Sequence, residues 1–451
     1  MLDNLETLCD VHGSRSPGTL GDRGAVEFMV ARLRKYGIES ARAEAFTMPG
    51  WTPGHASLDI ISPVRKSLSV IGLPHTVAGT VEATLVDLGT ADIGVFDARS
   101  DEMRGAVVLT SNARTAAMKR PMHRTEKLNR SIMAGAAGFI YMNSHAGFGP
   151  VTGSVSPTIP CVGIGLEQGR YLQRALKRFG AITVRLSTQG EHQAVETFNV
   201  IADVPGRRGD VEHIVVGSHY DGHDISQGAY DPGSGVVIVM EIARMMHLLR
   251  DRLGLGVRFI LFGGEETGLH GSRRYVDAHE GDVRACRFML NLDSAGGAGR
   301  KGFILHEVPE LVPLIEHFAA EMSAQLPLTQ RLTTSSDHWP FFLKGVPTAS
   351  GADPDVSLLT PYSHTRYDTV DKVDLEDLRR AASNYSRFIF RLANTDINVL
   401  RRRDSAQVAA AIASQGQDDA LALVNRVKTV VGTWSDIRPE TAAWLRDDSA
   451  W

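Results

Sequence analysis

Three apolar runs in the second half of the chain each end in residues able to bind a metal or move a proton, and this placement constrains the fold more than any other feature. His219 and Asp221 follow Ile214-Val215-Val216-Gly217, Glu265 and Glu266 follow Phe259-Ile260-Leu261-Phe262, and Asp293 follows Phe288-Met289-Leu290. Short apolar runs without polar alternation suit strands buried on both faces. Between them the spacing predicts helices over Gly235 to Arg250 and near Gly271 to Ala278, so that from Asn199 onward the pattern is βαβ. Such alternation implies an α/β fold, a mostly parallel central sheet with helices on both faces. In open sheets of that kind ligands bind beyond the carboxyl ends of the strands, so separate segments deliver their polar groups to one rim.

The chain has 451 residues, more than one hydrophobic core usually organises, which predicts two domains or one domain with an insertion. Its composition, 43% hydrophobic and 22% charged with a net charge of −4, carries no basic block, so nucleic acid is excluded as a partner. No run of about 18 apolar residues is present to cross a membrane. The opening Met1 to Asp10 is acidic where a secretory signal is basic, which reads as cytoplasmic, or as secreted if a leader has been removed. Cys9, Cys161 and Cys286 are too few and too far apart for a disulfide framework or a thiolate site. Any metal must be held by histidine and carboxylate.

Taken singly, a histidine or acidic residue at a strand end is an ordinary structural group. The combination supports metal-assisted hydrolysis. Two zinc ions sharing a carboxylate polarise a scissile carbonyl and acidify a water. Asp231, in the glycine-lined turn Gly228-Ala-Tyr-Asp-Pro-Gly-Ser-Gly235, suits the bridge; His219 with Asp293 serves one ion, and Glu266 with His364 the other. Glu265, adjacent to a ligand, is then the general base. Asp221, two residues after His219, is placed to hydrogen-bond its second ring nitrogen and fix the ligating tautomer.

The segments Gly217-Ser-His-Tyr-Asp221, Gly228 to Gly235, Phe262-Gly-Gly-Glu-Glu-Thr-Gly-Leu269, Asn291-Leu-Asp293, Ser336-Asp-His338 and His364-Thr-Arg-Tyr-Asp-Thr369 resemble the co-catalytic dizinc aminopeptidase and carboxypeptidase family, the twenty-eighth metallopeptidase family. His12-Gly-Ser-Arg-Ser-Pro-Gly18 is similar to its opening segment. The resemblance implies the zinc-exopeptidase fold, with His219, Asp231, Glu266, Asp293 and His364 as ligands of two zinc ions and Glu265 as proton shuttle. It assigns residues 1–50 and 190–395 to a discontinuous peptidase domain. Residues 51–189 resemble the β-rich protease-associated (PA) module inserted in this family, and 396–451 read as a helical C-terminal extension.

The bond Asp231-Pro232 is expected to be cis, as the bond after the bridging aspartate often is in such proteins. Relatives frequently place a tyrosine directly before the last ligand histidine; here Ser363 stands there, and Tyr362 becomes the candidate donor to the oxyanion. His338 reads as a supporting residue. His223, His270, His306 and His317 read as ordinary surface or core histidines, and Arg401-Arg402-Arg403 as a solvated helix face.

The expected function is exopeptidase hydrolysis of a peptide substrate, with aminopeptidase ahead because Asn291-Leu-Asp293 is nearer that pattern. The alternatives are a carboxypeptidase or dipeptidase of the plasma glutamate carboxypeptidase type, a glutaminyl-cyclase-like acyl transfer with one zinc, and a receptor-like binding module. A homo-oligomer is compatible with the sequence.

Overall fold

In the computed structural model, which describes residues 1–113, 120, 122–209, 211–352, 360–416 and 418–447, the apolar runs form the strands His213–His219, Gly256–Phe262 and Cys286–Asn291. The chain divides into two compact units. The first comprises Met1–Met48, Val195–Ser363 and Tyr367–Gly416, and the second Pro49–Ala194, His364–Arg366 and Gln417–Trp451.

In the first unit, His213–His219 lies between Gly256–Phe262 and Cys286–Asn291, parallel to both, and Thr348–Ala352 adds a further parallel neighbour to Cys286–Asn291. Antiparallel partners flank this group: residues 200–204 pair with Gly256–Phe262, and Gly302–Leu305 pairs with Thr348–Ala352. The sheet is mixed but parallel at its centre, where the ligand candidates sit.

Alternate residues of these strands enter two separate cores. Ile214, Val216, Phe259, Leu261, Phe288 and Leu290 join one cluster, with Val236 and Ile238 of helix Gly235–Leu248 and Leu378 and Phe388 of helix Leu375–Asn394. Val215, Ile260, Phe262 and Met289 join another, with Tyr275 and Val276 of helix His270–Ala278 and Phe341 of helix His338–Leu343. Because side chains alternate faces along a strand, the split means that both faces of the sheet are covered by helices. Full burial of each large apolar side chain contributes about 1.5–3 kcal/mol, which fixes the strand register and with it the rim.

The second unit is also α/β. Strands Gly79–Asp87, Val107–Ser111, Gly138–Met142 and Cys161–Ile164 pair in parallel succession, and Val70–Gly72 closes antiparallel on the last. Parallel strands need crossovers, and helices Ile93–Ala98 and Arg124–Met133 lie in the first two of the three.

The C-terminal helices do not form a separate extension. After Asp404, which caps helix Ser405–Ser414 through a capping box, the alanine-rich stretch breaks near Gly416, whose φ is +64°. Residues up to Gly416 belong to the first unit, whereas helix Asp418–Val431 belongs to the second, where Leu423, Val427 and Val431 pack with Leu128 and Ile132. Each piece goes where its apolar side is buried. Among the described residues no helix is long and apolar enough to cross a membrane.

Candidate metal centre

His219 ends its strand fully buried, and its Nδ1 lies 3.0 Å from the Asp221 carbonyl oxygen. An N–H donated there leaves Nε2 as an acceptor. Nε2 nevertheless faces carboxylate oxygens: Asp293 Oδ1 at 3.2 Å, Asp231 Oδ1 at 3.4 Å and Glu265 Oε2 at 4.0 Å. Acceptors facing each other at this range need a positive charge between them. Two ligands bound at about 2.0–2.1 Å in a tetrahedral zinc site stand about 3.3 Å apart, so the donor set and its spacing fit such an ion.

The electrostatics say the same. Burial disfavours a charged His219, but Glu265, Asp293, Asp221 and Asp231 outweigh it and raise the imidazole pKa well above its ordinary value. Burial drives the Glu265 carboxyl well above the usual carboxylate range; His219 opposes this, while Glu266 and Asp293 add to it. A divalent cation would reverse these directions by supplying the charge the cluster lacks.

Each carboxylate is held by a separate device. Asp293 accepts the Ser336 hydroxyl on Oδ2 at 2.6 Å and the Ser294 hydroxyl on Oδ1 at 3.0 Å, and Asn291 Nδ2 donates to Ser336 Oγ at 2.7 Å. Asp231 lies in a turn entered at Gly228 with φ +59°, and its bond to Pro232 is cis as expected. The Asp368 carboxylate fastens that turn, accepting the N–H groups of Tyr230 at 2.7 Å and Asp231 at 3.0 Å. Burial lifts Asp368 to about 7, opposed by these same N–H groups. Gly235 is required just beyond, because a Cβ there would stand 1.8 Å from the Leu292 carbonyl and 1.9 Å from that of Asp293.

Asp221 differs from expectation. Its carboxylate is 3.6 Å from His219 Nδ1, and the carbonyl makes the closer contact. The carboxylate instead accepts the N–H groups of Glu265 at 3.0 Å and Glu266 at 3.2 Å, fixing the turn that carries the proposed base and ligand.

A sequence profile described as Peptidase family M28 matches residues 199–389, which contain every one of these groups. Over these residues the chain is similar to peptidase family M28. It is 23% identical to carboxypeptidase Q of Mus musculus over 415 residues, covering 87% of this chain and 86% of that one. Its fold is similar to that of a Peptidase M28 precursor from Shewanella amazonensis, with a TM-score of 0.76 at 24% identity, over 89% of this chain and 94% of the other. It is also similar to BSAP, a zinc aminopeptidase from Bacillus subtilis, with a TM-score of 0.65 at 22% identity, over 86% and 93%. The profile match and these relatives together support a metal-dependent hydrolase, an exopeptidase acting on peptides.

Four further residues complete the account of the site. His364 falls in the second unit, where its φ is +57°, its carbonyl accepts the Thr152 N–H at 2.8 Å and its Nδ1 lies 3.4 Å from the Thr152 carbonyl. Tyr362 packs edge-on against Tyr230, with ring centroids 5.7 Å apart, and its hydroxyl lies 3.4 Å from the Lys372 carbonyl. Ser363 donates to Asp231 Oδ2 at 3.1 Å. His223 is a correction: read as an ordinary histidine, it is buried with Nε2 3.0 Å from Glu266 Oε2. The only sequence signal was its place on the loop between His219 and Asp231.

Proposed function

We propose that this chain removes the terminal residue of a peptide, as an aminopeptidase, with two zinc ions held by His219, Asp231 and Asp293 on one side and by Asp231, Glu266 and His364 on the other. The observation that carries the reading is His219 Nε2 facing Asp293 Oδ1 at 3.2 Å and Asp231 Oδ1 at 3.4 Å, with Glu265 Oε2 at 4.0 Å. The zinc of BSAP and the His-carboxylate donor set support the choice of metal. When bound, the two ions would polarise the scissile carbonyl and lower the pKa of water between them.

The protein's own groups then do the rest. Glu265 takes a proton from the attacking water and delivers it to the leaving amine. Asp221 holds the backbone N–H groups of Glu265 and Glu266, so base and ligand keep a fixed separation. Tyr362 is proposed as donor to the oxyanion once substrate displaces its contacts to Lys372 and Thr360.

Metal analysis and a peptide panel test this reading. Glu265→Gln is expected to retain its zinc and to lose about 10²–10⁴-fold in kcat; full activity with metal bound would refute the base assignment. An aminopeptidase fails on N-blocked peptides and accepts C-amidated ones. The opposite pattern would favour the carboxypeptidase reading, which the similarity to carboxypeptidase Q supports. A single tightly held ion would favour the cyclase-like alternative.

A further inference from the structure

We propose that His223 is a ligand of the ion assigned to Glu266, an addition to the five family-derived positions that rests on the two-ion reading above. His223 Nε2 lies 3.0 Å from Glu266 Oε2, with side chains only 5% and 7% exposed. This separation is close to the 3.2 and 3.4 Å that set His219 Nε2 off from its two carboxylate oxygens. The pair therefore has the spacing of two donors around one small cation.

The backbone around His223 is built to hold it there. Arg15 is fully buried and donates to the carbonyls of Tyr220 at 2.6 Å, Gln227 at 2.8 Å and Gly228 at 2.8 Å, clamping both ends of the loop. Within the loop Ser226 N–H donates to the His223 carbonyl at 3.2 Å. The Glu266 side is equally fixed, by Asp221 Oδ2 accepting its N–H at 3.2 Å. Two rigid supports thus bring a neutral-capable nitrogen donor and a carboxylate together in a buried place, the chemistry that zinc selects. With His223 added, Asp231, Glu266, His364 and His223 would be the side chains available to hold that ion.

The alternative is that Nε2–H merely donates a hydrogen bond to Glu266. Glutamine can replace that bond but is a poor zinc ligand, so His223→Gln and His223→Ala separate the two roles. Metal-free protein is titrated with zinc in a calorimeter, with cobalt(II) absorption as a second readout and circular dichroism of the metal-free variants as a control on folding. The expected result is two sites in the unaltered protein, one of them weakened by about 100-fold or more in both variants, with a changed cobalt spectrum. Unaltered affinity in His223→Gln, whatever His223→Ala does, overturns the ligand assignment. If the unaltered protein takes up a single ion, the two-ion reading fails; unchanged uptake by His223→Ala then overturns the His223 assignment as well, and weakened uptake sustains it.

Discussion

The imidazole rings of His306 and His338 stack with centroids 3.8 Å apart and planes 7° from parallel, both fully buried. His306 lies between the Arg331 carbonyl at 3.0 Å and the Ser350 hydroxyl at 3.1 Å, and His338 Nε2 meets the Thr333 carbonyl at 2.9 Å. Burial pushes His338 down to about 4, and burial with the neighbouring His338 pushes His306 well below its ordinary value.

The pair makes the protein sensitive to acid. Above pH 6.5 neither the folded nor the unfolded chain protonates His338, and the group contributes nothing. Between 6.5 and about 4 only the unfolded chain takes the proton, so stability falls as pH falls, and below about 4 the loss is complete. The shift corresponds to about 3 kcal/mol. Urea denaturation between pH 7.5 and 4 is expected to show a drop that is smaller in His338→Asn; parallel profiles for the two proteins would count against it.

Arg15 predicts a second stability effect. Its guanidinium donates to the carbonyls of Leu8, Tyr220, Gln227 and Gly228 at 2.6–2.9 Å. Arg15→Met strands those acceptors without water and is expected to cost at least about 3 kcal/mol. Arg15→Lys, with three donors and no planar fork, should fall between. Chemical denaturation gives both numbers, and a loss under 1 kcal/mol for methionine would show that the clamp is dispensable.

How far such features were legible depends on where their partners lie. The runs ending at His219, Phe262 and Asn291 announce themselves because strands buried on both faces cannot alternate, and their ends bring Glu265 and Asp293 to one histidine, to which the turn after Gly228 adds Asp231. The Asp221 carboxylate, expected at the His219 ring, makes its shorter contacts to two N–H groups, and a backbone donor leaves no mark on the sequence. His223 meets a glutamate on another strand end, a pairing that no local pattern encodes. Gly416, by contrast, was an available stop signal inside the alanine-rich stretch, and helical propensity alone overrode it.

Asp221 allows the two roles of its carboxylate to be separated. In Asp221→Asn one oxygen can still accept an N–H, while the amide group confronts the other. The expected outcome is a 10–100-fold loss in kcat/KM and a weaker hold on zinc, since the Glu265-Glu266 turn is loosened while the closer contact to His219, made by the carbonyl, is kept. Activity and metal content measured on the same sample test it; wild-type values for both would mean that the turn needs no support.

Asp368 gives the sharpest test of whether the bridge must be preorganised. Its two oxygens hold the N–H groups of Tyr230 and Asp231 at 2.7 and 3.0 Å, so it fixes the backbone from which the proposed bridging carboxylate projects. Asp368→Ala removes both bonds without touching the Asp231 side chain, leaving two buried donors at a cost of about 1–3 kcal/mol each. If bridging requires a fixed Asp231, zinc binding should weaken at both sites together, because a shared ligand couples them. Asp293→Ala, by comparison, should weaken one site far more than the other. Calorimetric titration of the two variants distinguishes these patterns, and loss at a single site in Asp368→Ala would mean that Asp231 does not bridge.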